Sequence, residues 1–313
     1  MKLKELKVCI VIVTYNRKEY LIKLLEKLKS QTYKITQIVV FDNNSTDGTG
    51  DALKRHGFLD LDNEVLPIIY HKNDENLGGS GGFYNGIKLA MDYDYDLIWA
   101  MDDDVLPENN CLEELIDKLD EDTGICIPNR SGFGYEDYAI TNVNMSNPFL
   151  YGSVNKKTKK YSDEIQGDTI KVFDMAFEGP LIRTSLIKKI GYPNKDLFIL
   201  YDDSEYAMRA SKIAIIKFVK NAHLYKQIIP TVNSDGACFT WKSYYDIRNG
   251  IWFDKMYGEN IFVRNIRPIV TVLYWYVRLI KKHGFKYIKF VNKAYIDGIK
   301  SNLGKNIDPT KWS

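Results

Sequence analysis

Several things are missing from this sequence. Its four cysteines, Cys9, Cys111, Cys126 and Cys238, are far apart in 313 residues, and none belongs to a Cys-x-x-Cys pair. That excludes a zinc ribbon or a dithiol redox motif and predicts reduced thiols in a cytosolic protein. No stretch reaches the roughly 18 apolar residues of a membrane-spanning helix. The start, "MKLKELKVCIVIVTYN", is basic, but its apolar run is short, lacks a small-residue cleavage site and reads straight into a strand, so we expect no signal peptide. There are no internal repeats and no low-complexity linkers. A net charge of +2 excludes a general polyanion binder, and with no recognition motif present nucleic acid is not an expected partner. What the chain has instead is 45% hydrophobic residues, enough for a large core, and 13% aromatics including 22 tyrosines, suited to packing or to sugar stacking.

Apolar β-branched runs alternate with helical patterns through the first 130 residues. "VCIVIVT" (8–14), "QIVVFD" (37–42), "LPIIYH" (66–71), "DLIWAM" (96–101) and "GICIP" (124–128) read as strands. Between them Leu21, Leu24, Leu25 and Leu28 fall at helical spacing, and "GDALKRH", "GGFYNGIKLAMD" and residues 109–120 read as helices. Such alternation predicts an α/β fold with a mostly parallel central sheet covered by helices on both faces. From 129 to 168 the pattern breaks into a stretch rich in Asn, Ser, Gly and Tyr, read as inserted loops and hairpins. From 240 onward the chain reads as helical. We therefore expect a catalytic domain over 1–235 and a helical, basic and aromatic region over 236–313.

Ligands of such sheets sit beyond the carboxyl ends of the strands. Those ends here read "TYNR", "DNNSTDGT", "NDENLGGSGG" and "MDDDV". Three successive carboxylates after a buried strand call for a cation, because two like charges about 4 Å apart repel by roughly 4 kcal/mol at an effective dielectric near 20. The alternative is a solvated acidic turn. Gly78, Gly79, Gly81 and Gly82 allow close backbone approach to a ligand at a helix start, or simply make a tight turn. They are no dinucleotide fingerprint, which would follow the first strand. Asp42 can accept from a base or ribose, whereas Asn44 to Asp47 read as a helix cap.

The four motifs, in this order, with "YDDSEYAMRA" about 100 residues later, resemble the inverting nucleotide-sugar glycosyltransferases of family 2, over roughly residues 7–225. The resemblance implies the GT-A fold, Rossmann-like, with the C-terminal helical region added. It implies a donor pocket of Thr14, Asn16, Arg17, Asp42, Asn44, Asn76, Gly79, Gly82, Asp102 and Asp103, and a Mn²⁺ or Mg²⁺ ion on Asp102 and Asp104. Asp203 aligns with the catalytic base, with Asp202 as its competitor. The ordinary reading of that stretch, a capped helix with Arg209 pairing Glu205, is compatible with this. "FEGPLIR" implies an acceptor contact by Glu178. Relatives carry a metal-binding His after the next strand. Here the common register puts Lys226 at that position, and His223, three residues early, is either a displaced ligand or a surface residue.

"NLGGSGGF", "MDDDVLP" and "WKSYYDIRNGIWF" look most like bacterial galactofuranosyl- and rhamnosyltransferases of surface polysaccharides. UDP-galactofuranose is the preferred donor and dTDP-rhamnose the alternative. Tyr245 and Arg248 are then acceptor contacts, or else packing residues of a helix. Residues 264–300 carry nine Lys and Arg against the single acid Asp297, with Ile266, Ile269, Val270, Leu273, Val277 and Ile280 in a helical stripe and Trp275, Tyr287 and Phe290 interleaved. That mix suits an anionic membrane surface on the inner face of the cell membrane, next to a glycan or lipid-linked acceptor. Packing on the catalytic domain or on another subunit is the alternative. Two rival classes remain. A sugar nucleotidyltransferase needs a basic glycine loop after the first strand, and "VTYNRKEY" lacks one. A non-catalytic glycan- or membrane-binding module sits badly with an intact acidic run.

Overall fold

The computed structural model describes residues 6–60, 66–228, 239–283 and 285–309. In chain order they form β1 (Val8–Thr14), α1 (Lys18–Leu28), β2 (Gln37–Asp42), α2 (Thr49–Arg55), β3 (Ile68–Lys72), α3 (Gly78–Ala90), β4 (Leu97–Asp102), β5 (Val105–Pro107) and α4 (Cys111–Asp117). Then come β6 (Thr123–Gly132), β7 (Tyr135–Glu136), β8 (Tyr138–Val143), α5 (Gly152–Asn155), β9 (Lys157–Tyr161), β10 (Thr169–Val172), β11 (Leu181–Arg183), α6 (Thr184–Ile190), α7 (Asp202–Ala210) and β12 (Ile215–Lys226). The chain closes with α8 (Trp241–Tyr257), α9 (Ile261–His283) and α10 (Ile288–Ile299).

The main sheet runs β10-β12-β6-β11-β4-β1-β2-β3, with β5 on β12 and β7 on β6. β4-β1-β2-β3 and the β6-β12 pair are parallel. The short β11 runs antiparallel between β4 and β6 and joins the two halves. Every residue of β1 is buried because both faces are covered. Ile10 and Ile12 meet Leu21, Leu24 and Leu25 of α1, and Val11 and Val13 meet Phe83 and Ile87 of α3. The expected mostly parallel α/β sheet is thus present, with antiparallel β11 inside it and antiparallel β5, β7 and β10 along its β6–β12 half.

Two expectations change here. Gly78 and Gly79, expected in the loop ahead of the helix, already belong to the first turn of α3, and Gly82 packs rather than binds: a Cβ there would lie 2.5 Å from Val13 Cγ1. Gly86 is constrained in the same way by Val11, and together they let α3 lie close on β1. Gly79 alone of the two glycines assigned to the donor faces open space. We expect Gly82→Ala to cost about 1–3 kcal/mol, the usual price of overpacking, seen as a lowered melting temperature with donor affinity unchanged.

The second correction concerns Tyr245 and Arg248, which are fully buried and cannot reach an acceptor. Arg248 donates to Leu197 O (2.8 Å) and Gly304 O (2.6 Å), and the neighbouring Asn249 donates to Leu197 O, Ile199 O and Leu200 O. The Tyr245 hydroxyl donates to Ile307 O (2.7 Å). The reason is local. Phe198, Leu200 and Tyr201 all have positive φ, so the segment leading into α7 lacks regular backbone pairing, and α8 supplies the missing donors.

The inserted stretch extends β6 to Gly132 and forms the separate β8-β9 sheet. The proposed domain boundary at 235/236 and Cys238 lie outside the described residues. Cys9, Cys111 and Cys126 are free and buried, as expected of reduced thiols. Of the C-terminal aromatics, Trp275 and Tyr287 pack inside the helical layer with Tyr244 and Phe239.

Candidate active site

The carboxyl ends of β1, β2 and β4 meet in register, Thr14 opposite Asp42 and Val13 opposite Asp102, so their loops crowd one edge. Most donor-pocket candidates bind these loops to one another. Asp42 is fully buried; its carboxylate accepts the Ser45 N–H (2.7 Å) and the Tyr70 hydroxyl (2.6 Å). Asn16, at φ 53°, accepts the Thr46 N–H, and Asn44 donates to Asp74 O. Asn76 accepts from Asn43 Nδ2 (3.1 Å) and from the Gly78 N–H (2.8 Å).

The acidic run is the electrostatic centre. Asp103 accepts the Thr14 hydroxyl (2.6 Å) and Arg17 Nη1 (3.2 Å), and the same Arg17 nitrogen reaches Asp104 Oδ2 (3.0 Å). Asp104 Oδ1 is buried without a hydrogen-bond partner among the described residues. Burial pushes the Asp103 carboxyl up to about 6, against the pull of Thr14 and Arg17. Burial and the neighbouring Glu178, Asp104 and Asp103 push Asp102 well above the usual aspartate range. Such a cluster gains from any added positive charge.

Part of that charge comes from β12. Its end pairs with β5, Lys226 opposite Val105, and the Gln227 N–H donates to Asp104 O (2.7 Å). Lys226 Nζ bonds Glu178 (2.6 Å); burial pushes the Asp104 carboxyl up, and Arg17 and then Lys226 oppose that rise. His223 is a correction: side chains alternate along a strand, so His223 takes the face opposite Lys226 and Leu224, and β12 brings the lysine to the acids. Among the described residues no three His, Cys, Asp or Glu side chains are grouped to hold a metal by themselves. The orphaned Asp104 oxygen beside Asp102 nevertheless fits a cation that takes its other ligands from a diphosphate and water.

Glu178, expected at the acceptor, is engaged on both oxygens, by Lys226 and by Arg130 (2.6 Å), and these two cations hold its carboxyl below the ordinary range despite burial. Arg130 also grips Asp137. Its charge also opposes the rise of the Asp203 carboxyl at the start of α7.

At that start the Asp203 carboxylate accepts the Ser204 N–H (2.7 Å). Burial first and Asp174 second push its carboxyl up; Lys157 and Arg130 oppose them. Burial and Asp203 push Asp202 up too. Lys157 pairs with Asp174 and donates to Ser204 Oγ (3.2 Å). The Glu205–Arg209 pair forms as expected (2.7 Å). Sequence reasoning missed Arg130, Lys157 and Asp174. Charged residues in a polar insert and at a strand end carry no local signal of where the sheet will bring them. A hollow of about 520 Å³ opens elsewhere, at the amino ends of β6 and β12 beside Thr123 and Ala214. It holds none of these acids, and the chemistry, not the volume, locates the site.

A mostly parallel sheet with acids gathered beyond its strand ends, and a further aspartate at the start of α7, fits an α/β protein of the GT-A type. The chain belongs to glycosyl transferase family 2, whose family model matches residues 9–207. It is similar to galactofuranosyltransferase GlfT1 of Mycolicibacterium smegmatis, 24% identical over 218 residues, 64% of this chain and 64% of that one, so less than two thirds of the relative's length is matched. Its fold is similar to that of Staphylococcus aureus TarS 1–349 in complex with UDP-GlcNAc (TM-score 0.55, 16% identity, 94% of this chain and 81% of that one). It is also similar to the mannosyltransferase PcManGT of Pyrobaculum calidifontis in complex with GDP-Man and Mn²⁺ (TM-score 0.56, 13% identity, 93% and 74%).

Proposed function

We propose that this chain is an inverting glycosyltransferase that moves a sugar from a nucleoside diphosphate to a hydroxyl of a glycan or lipid-linked acceptor in bacterial surface polysaccharide synthesis. The observation that carries this is the acidic run beyond β4, where Asp104 Oδ1 is buried without a hydrogen-bond partner among the described residues, in a chain that also sets Asp203 at the start of α7. Galactofuranose from UDP-galactofuranose is the donor we favour, on the similarity to GlfT1. Residues 1–235 supply the chemistry, and residues 236–313 support α7 and face the acceptor's surroundings.

In this reading Asp203 takes the proton from the acceptor hydroxyl as its oxygen forms the new bond to the anomeric carbon. The bond from that carbon to the diphosphate oxygen breaks, and its electron pair leaves with the nucleotide. A divalent cation, when bound, would be held by Asp102 and Asp104 and would neutralise the departing diphosphate. Arg17 and Lys226 keep the acids from repelling that anion, and Thr14 orients Asp103. Because burial raises the Asp203 carboxyl, the acid limb of the kcat profile is expected above the free-aspartate value of about 4: activity falls as pH drops and Asp203 takes up its proton. A rate flat through that limb counts against the assigned base.

The deciding experiment is a panel of UDP-galactofuranose, dTDP-rhamnose, UDP-GlcNAc and GDP-mannose with a lipid-linked acceptor, scored for nucleoside diphosphate release. We expect UDP-galactofuranose to lead by at least about tenfold in kcat/KM, a margin worth about 1.4 kcal/mol. Release above background from none of them overturns the reading.

A further inference from the structure

α9 carries two faces. One is buried against α8, α10 and the 144–147 segment, and includes Arg267 and Leu279. The other is a continuous apolar row: Phe262, Ile266, Ile269, Leu273, Val277 and Ile280 recur at helical spacing. Phe262 is 57% exposed, Leu273 54% and Val277 56%, and no core cluster of the described residues includes any of these three or Ile269 or Ile280. Just beyond the helix, Phe285 is 76% exposed. A row of this length, roughly 30 Å by the rise of an α-helix, is unusual on a surface that meets only water.

We propose that this face of α9 docks on an anionic lipid bilayer, the helix lying along the membrane plane. Three features of the surface select that occupant. Exposed Lys281, Lys286 and Lys289 follow the row at its carboxyl end, and residues 261–296 contain no acid at all. An apolar row with cations beside it fits lipid tails below and phosphate headgroups around. A second copy of the chain fits poorly, because a two-fold contact through this face brings like charges together. Insertion across the bilayer is ruled out for α9, since the buried face carries Arg267 and no helix among the described residues is long and apolar enough to span. The proposal stands on this surface and not on the identity of the sugar.

The test is co-sedimentation of the full chain with vesicles of phosphatidylcholine alone or with about 30% phosphatidylglycerol. Binding to the anionic vesicles only, weakened by high salt, is expected. Leu273→Asp/Val277→Asp should weaken it at least about tenfold, and Lys281→Gln/Lys286→Gln/Lys289→Gln should reduce both the binding and its salt dependence. Both variants change exposed side chains, and an unaltered circular-dichroism melt verifies that they fold. Equal binding to neutral vesicles, or binding indifferent to the aspartate pair, overturns the proposal. So does a parent chain that sediments as a dimer and becomes monomeric in the same variant. Vesicle binding is read without donor or acceptor, so a failed donor panel leaves this result standing, and a failed vesicle assay leaves the panel standing.

Discussion

Asp203→Asn is expected to lower kcat for sugar transfer by about 10²–10⁴-fold, the range a positioned general base contributes, while the affinity for the nucleoside diphosphate stays within a factor of about two. The substitution keeps the shape and the hydrogen bond from the Ser204 N–H and removes only the ability to take a proton. Isothermal titration with UDP and single-turnover transfer separate the two effects. Asp202→Asn is the necessary comparison. Asp202 is 8% exposed, near Ser80 at the base of α7, and has little surface to offer an acceptor. Its variant should keep most of its turnover. If the losses were reversed, Asp202 would be the base and Asp203 the support.

Asp254→Ala is expected to destabilise the protein by about 3–5 kcal/mol, the scale of breaking a buried ion pair. One carboxylate oxygen serves two cations, Lys156 Nζ at 3.0 Å and Arg267 Nη1 at 3.1 Å, and all three side chains are almost fully buried. Removing the acid leaves two uncompensated charges between the insert, α8 and α9. The melting temperature should fall by roughly 5–8 °C. The sign of the pH dependence is a further check. Burial holds Lys156 below its ordinary value even with Asp254 present. In the variant the unfolded chain therefore binds more protons than the folded one, and stability should recover as pH rises toward the free-lysine value of about 10.4. Arg267 cannot be relieved in this way, so recovery stays partial. A melt within about 1 °C of the parent would mean that the three charges contribute little to stability.

Local patterns carried much of this. The strands over 8–14 and 37–42 have the expected bounds, because a run buried on both faces between polar ends admits no other local structure. The third strand starts two residues later than expected, at Ile68. The glycines were harder to place, since a helix whose first turns lie flat on a strand and a ligand loop need the same small residues; only the 2.5 Å approach to Val13 separates the two.

The sequence by itself determined the α/β alternation, the polar strand ends, the acidic run and the apolar row of the tail, because each is a short-range pattern of period, burial or charge. Tertiary structure alone decided that Lys226 and not His223 reaches the acids, that Arg248 clamps backbone carbonyls inside the protein, and that Arg130 pairs with both Asp137 and Glu178. Those outcomes depend on strand register and on pairings across dozens of residues. The partner of a charge is chosen by whichever distant segment the sheet lays beside it, and no local window of sequence records that choice.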